Sequence, residues 1–96
     1  MRVSTFVVTK SVHDYQLENK EFHKLVYECL HRFQCCDWGD CCEEDEKLND
    51  TALETGERIL ASYESEHSPE GRIWIIADAT DEEGKRVVTV LFPSEY

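Results

Sequence analysis

The sequence predicts an α+β fold: a small single domain of order β-α-α-β-β-β, with a mainly antiparallel sheet packed on two helices. Three observations carry this. Residues 3–9, VSTFVVT, are rich in β-branched residues, as strands are. Apolar residues then recur at helical spacing from Phe22 to Phe33. After Gly56 the period changes to three strand-like runs, RILASYE, RIWIIADA and KRVVTVLF. A chain of 96 residues fits one domain, spanning residues 1–96, with a modest core.

Each element has a local reason. Residues 10–18 read as a turn and connecting loop. Asn19 is placed to cap a helix over 20–34, where Phe22, Leu25, Val26, Cys29, Leu30 and Phe33 share one face. His23 and His31 fall off or at the edge of that stripe and read as a solvated flank. A second, more polar helix follows. Asp40 suits its N-cap and Glu43 completes a capping box, while Gly56 marks its end. Leu48, Ala52 and Leu53, helped by Cys41 or Cys42, are its only candidates for a core face. The segments HSPEG (67–71) and TDEEG (80–84) carry turn residues, so the strands they join are antiparallel neighbours. The strand at 3–9 is expected to join this sheet. In the middle strand, Ile73, Ile75 and Ala77 alternate with Trp74, Ile76 and Asp78. Both rows are apolar enough that either can be the buried one, and an exposed row with Trp74 would be a contact surface.

The net charge of −11 is unevenly placed. Residues 1–36 hold four acids and five bases, residues 37–83 sixteen acids and three bases, and residues 84–96 one acid and two bases. The middle segment thus carries −13, flanked by segments of +1. Nucleic acid is a poor direct partner for such a surface, since phosphates need cations. A basic protein that itself binds nucleic acid is a better one. No apolar run approaches the roughly 20 residues of a membrane span. The opening MRVSTFVVTKSVHDYQ lacks the apolar core and cleavage site of a signal peptide, so a cytoplasmic protein without membrane contact is expected.

The stretch CCDWGDCCEEDE (35–46) concentrates the candidate chemistry. Cys35, Cys36, Cys41 and Cys42 are enough thiols for a tetrahedral zinc, with His31 nearby. However, adjacent cysteines point apart, and zinc sites usually space their ligands by two to four residues. The odd total of five cysteines argues against a closed disulfide framework. Carboxylates nearby disfavour a thiolate, so a cysteine nucleophile is not expected. DWGD reads as a structural joint: Trp38 covers the gap between the two helices, and Asp37 and Asp40 bond free backbone amides.

Glu43, Glu44, Asp45 and Glu46 fall in a first helical turn, where the helix dipole favours them. Glu43, Glu46 or Lys47, Asp50 and Glu54 follow one line, with carboxylates about 6 Å apart. Asp37, Asp40, Glu57 and the turn acids Asp81, Glu82 and Glu83 extend the field. One helical row falls short of the charge density of duplex DNA, about one charge per 1.7 Å, so a DNA-like surface needs several rows.

DWGD, the acidic run, LNDTALETGERILASY, RIWIIADATD and VTVLFPSEY together resemble a family of short bacterial proteins labelled hypothetical, plasmid-related or loosely restriction-modification associated. The resemblance covers residues 37–96 well and 1–36 in outline. The family pattern has Gly-Asp-Trp-Gly preceded by a histidine, and here Cys36 stands in place of the first Gly. Association with mobile elements implies a role in the contest between plasmid or phage and host.

The composition and the resemblance lead to the expectation of a non-enzymatic acidic inhibitor, of anti-CRISPR or anti-restriction type. As a DNA mimic it would block the nucleic-acid channel of a host defence protein, with Asp37, Asp40, Glu43, Glu44, Asp45, Glu46, Asp50, Glu54, Glu57, Asp81, Glu82 and Glu83 in contact and no cofactor. The alternative is a small zinc-binding or regulatory module using Cys35, Cys36, Cys41 and Cys42. An enzyme using Asp37, Asp40 and a divalent cation rests on composition only.

Overall fold

In the computed structural model, which describes residues 1–96, strand β1 (Val3–Val8) runs straight into a helix, α1 (Lys10–Glu18). The loop expected over 10–18 is therefore corrected to a helix, and three helices rather than two accompany the sheet. Periodicity conceals α1 because only Val12 on it is fully buried, with Tyr15 half-buried. Local chemistry holds it instead. The Thr9 hydroxyl accepts the Val12 amide proton (3.3 Å) and donates to the Glu95 carboxylate (2.9 Å). Tyr15 meets Phe22 edge to face, with centroids 4.8 Å apart.

Asn19 ends α1 and begins α2 (Lys20–Gln34), its side chain accepting the Phe22 amide (3.1 Å) as expected. Phe22, Val26, Cys29 and Phe33 are buried along α2, while Leu25 and Leu30 are half-buried. The helix stops in a Schellman turn. The Cys36 amide bonds the Phe33 carbonyl and the Asp37 amide bonds that of Arg32, with Cys36 at φ +61°.

Helix α3 spans Glu43–Thr55 and ends on Gly56, at φ +82°, as expected. Its start differs from the expected capping box. Cys42 occupies the cap position without a side-chain bond, and Asp40 serves a strand instead. The four acids of the first turn complement the helix dipole in place of a cap. Leu48 is 67% exposed rather than core-facing; Asn49 and Ala52 occupy the buried side, with Leu53 half-buried.

Strands β2 (Ile59–Glu64), β3 (Arg72–Ala77) and β4 (Arg86–Leu91) form the expected antiparallel meander. The sheet order is β1-β4-β3-β2, and β1 runs parallel to β4, so the sheet is mixed. The row Ile73, Ile75 and Ala77 faces the helices and is fully buried, with Ile59, Ala61, Tyr63, Val88 and Val90 beside it. On the other face Trp74 is half-buried, edge-on to Tyr96 (5.4 Å), with Arg58 over the Tyr96 ring (4.9 Å). No helix is long and apolar enough to cross a membrane.

Candidate acidic interface

The DWGD joint lies along the outer edge of β2. The Asp40 amide bonds the Ser62 carbonyl (2.6 Å), the Ser62 amide bonds the Trp38 carbonyl (3.3 Å), and the Asp40 carboxylate accepts the Glu64 amide (2.7 Å). One turn further along that edge, the Asn49 side chain of α3 donates to the Leu60 carbonyl (2.8 Å) and accepts its amide (3.4 Å). Gly39, at φ +76°, sits where a Cβ would run into the Ser62 carbonyl and the Tyr63 ring, so only glycine lets the strap approach this closely.

Trp38 is 3% exposed. It stacks edge-on against Phe33 of α2 and donates its Nε1 proton to Asp50 Oδ1 on α3 (2.9 Å). It thus fills the gap between these helices, as the sequence suggests. Asp37 accepts the Gly39 amide (3.0 Å) and pairs with Arg32 through Nε (2.7 Å) and Nη2 (3.3 Å). The hydrogen bond from Arg32 is the main reason its carboxyl titrates below the usual range. The Arg32 guanidinium also lies 5.0 Å from the Tyr63 ring, and the Tyr63 hydroxyl donates to the Asp37 carbonyl (2.7 Å). Burial, first of all, pushes the Tyr63 phenol up.

These bonds divide the candidate acids. Asp37, Asp40 and Asp50 are committed to the joint, although all three remain exposed at the surface. Glu43, Glu44, Asp45, Glu46, Glu54 and Glu57 are exposed on or just after α3. Lys47 interrupts this face and pairs with Glu43 (3.6 Å). In the β3–β4 turn, Asp81 accepts the amides of Glu83 and Lys85 (2.9 Å each), and the bond from Lys85 leads in lowering its pKa. Glu82 is exposed, and Glu83 pairs with Lys85 (3.1 Å).

The fold brings that turn against the C-terminal end of α3. The Thr80 amide bonds the Gly56 carbonyl (2.9 Å). Arg86, 2% exposed, donates from β4 to the carbonyls of Ala52 (2.9 Å), Asp78 (3.1 Å) and Glu57. Its partners are all neutral carbonyls, and burial lowers its pKa. A buried arginine thus clamps the acidic helix to the acidic turn. Sequence reasoning registers Arg86 only as one of the bases of residues 84–96. Its single signal is position, the first residue of an otherwise apolar strand.

The five thiols are all free. Cys29 is buried, and desolvation pushes its thiol up to about 12. Cys41 lies 3.2 Å from the Trp38 carbonyl, and burial again raises it. Cys36 is half-buried, Cys42 is exposed, and Cys35 is exposed with Sγ 3.9 Å from His31 Nε2. No three His, Cys, Asp or Glu side chains are gathered as a metal site, so the thiols considered for zinc do not converge. His23 and His31 are exposed on α2, as the helical pattern suggests.

No family model, curated protein or solved structure matches the chain. Function is therefore read from its own geometry.

Proposed function

We propose that the protein is a non-enzymatic binding protein. Its acidic face, formed by α3 and the 78–84 turn, would engage the Lys- and Arg-lined nucleic-acid channel of another protein as a DNA mimic. The observation that supports this reading is the clamp of Arg86 and Thr80, which ties the backbone of the β3–β4 turn to the C-terminal end of α3. Six carboxylates lie on α3, about 20 Å long at 1.5 Å per residue. That density is below duplex DNA, so the mimic would draw further carboxylates from the neighbouring turn. The resemblance of residues 37–96 to mobile-element proteins directs this reading to a host defence protein, an anti-CRISPR or anti-restriction role. Dense carboxylates on such a channel compete with DNA and associate fastest at low salt.

The test is capture from a bacterial lysate at low salt, followed by elution with salt or with duplex DNA. Recovery of a nucleic-acid-binding protein that duplex DNA displaces supports the mimic. Reversing Glu54, Glu57 and Glu82 to Lys, which leaves the first turn of α3 intact, should then abolish recovery while circular dichroism stays unchanged. Asp50 is kept, because its carboxylate anchors Trp38. Unchanged recovery by the reversed variant would remove the acidic face from the interaction.

A further inference from the structure

The β1 edge of the sheet carries an unclaimed interface. The Thr9 amide bonds the Val90 carbonyl (3.1 Å). By the alternation of a parallel ladder, Thr5, Val7 and Thr9 then turn their backbone groups toward β4 and Phe6 and Val8 turn theirs outward, while a bulge interrupts the register at Ser4, whose hydroxyl bonds the Arg86 carbonyl (3.1 Å). Ser4, Thr5, Phe6 and Val7 are exposed. In a chain that is 32% charged, Val3–Val8 contains no charge and no proline, and a bulge at Ser4 is the one guard on this edge. Beside it runs an apolar groove of about 580 Å³, lined by Phe6 and Val8 on β1, Leu17 on α1, and Tyr27 and Leu30 on α2. Phe6, Leu17 and Tyr27 are 45%, 74% and 62% exposed.

We infer that this edge pairs with β1 of a second copy of the chain, antiparallel across a two-fold axis, joining two sheets into one and closing the grooves. An axis at Phe6 sets Phe6 opposite Phe6, so its outward amide and carbonyl find partners, and the bulge at Ser4 keeps the pairing short. The two Phe6 rings then lie side by side on the helix face, over the merged grooves.

Charge selects this face for self-association. Two copies of a −11 chain repel wherever residues 37–83 meet, whereas residues 1–36, which carry β1, α1 and α2, sum to +1. In sheet order β1 and β2 are opposite edges, and α3 packs at β2. Joining β1 to β1 therefore places the acidic helices at the far ends, while the acidic β3–β4 turn stays near the start of β1, where Arg2 donates to the Glu83 carbonyl (2.9 Å). Seven strand spacings separate the outer β2 strands of an eight-stranded sheet, about 34 Å. That is several times the Debye length of about 8 Å at physiological salt, so their repulsion is largely screened. This inference is independent of what the acidic face binds.

Sedimentation equilibrium of the full chain with reductant present, over a concentration series, tests it. The expected result is a mass twice 11.2 kDa that falls to one copy on dilution. In the dimer the Phe6 amide resists hydrogen exchange and loses that protection on dilution. Phe6→Lys should raise the dimer dissociation constant about tenfold or more by placing a charge in the apolar contact. Leu17→Lys, an exposed helical position, should do the same without touching β1, and decides the matter if the first variant fails to fold. A monomer at every concentration would overturn self-pairing and leave the edge to a different chain. A dimer indifferent to both variants, with the Phe6 amide exchanging freely, would also overturn it.

Discussion

Along β2 the outward backbone groups of Leu60, Ser62 and Glu64 are occupied by the side chain of Asn49, the backbone of Trp38 and Asp40, and the Asp40 carboxylate. Along β1 the outward groups of Phe6 and Val8 face no other strand of the sheet and lie beside an apolar groove. The two edges teach how this chain divides its tasks. The segment that looks like a functional motif, DWGD, is committed to closing an edge. The segment that looks like an ordinary strand, VSTFVV, leaves one open. The acidic helix rides on the closed edge, so its carboxylates stand on a fixed support.

The sharpest way to break the closed edge is to remove its anchor. Trp38→Ala empties a buried site against Phe33 and cuts the tie to Asp50, at a cost of about 3–5 kcal/mol. A small domain has about 5–15 kcal/mol in all, so this variant should unfold at a much lower urea concentration, if it folds. A urea midpoint close to that of the parent chain would mean the strap is dispensable.

Asn49→Ala asks a narrower question. It leaves the Leu60 amide and carbonyl without their partner, and an unmet backbone group in a buried setting costs about 1–3 kcal/mol. The Leu60 amide should lose hydrogen-exchange protection more than the amides of Ser62 and Glu64, which the strap still holds. Equal loss at all three would show that α3 and the strap open together.

The fold was legible where one element carries its own pattern. Helix α2 has both its cap, Asn19, and an unbroken stripe, so residues 20–34 emerge with the observed ends. Helix α1 has neither a long stripe nor dipole-favoured charges at its ends, and it depends on Thr9 and on Phe22, which belongs to the next helix. The meander follows from its turns. The parallel pairing of β1 with β4 does not, because alternation within a strand says nothing about which strand lies beside it. At the candidate site the acids were visible by composition, and so were the amide-binding roles of Asp37 and Asp40. The roles of Asp50, Asn49 and Arg86 were not, because their partners lie between 8 and 34 residues away in the chain.

A smaller effect separates charge from geometry in the strap. The Asp37 carboxyl is held low in the folded protein, chiefly by Arg32. A lowered folded pKa means that its contribution is complete above the ordinary carboxylate range and is lost as pH falls through the folded value. The pair is about half exposed, so solvent screening keeps this contribution modest. Asp37→Asn should therefore lower the urea midpoint at pH 7 and change it little at the acid end, below the folded value. A deficit that persists there would trace the loss to the Gly39 amide bond rather than to the ion pair.

The smallest expected effect lies at the hinge that turns α2 onto the β2 edge. Cys36 holds φ +61° in a Schellman turn, where a Cβ crowds the backbone by about 1–2 kcal/mol. Cys36→Gly removes that crowding but admits more freedom to the unfolded chain, about 0.5–1 kcal/mol. It also gives up the packing of a half-buried thiol. The balance should be a gain of about 0.5 kcal/mol, read as a small rise in urea midpoint with an unchanged slope. A fall in the midpoint would instead assign Cys36 a packing role under the strap that outweighs the backbone cost.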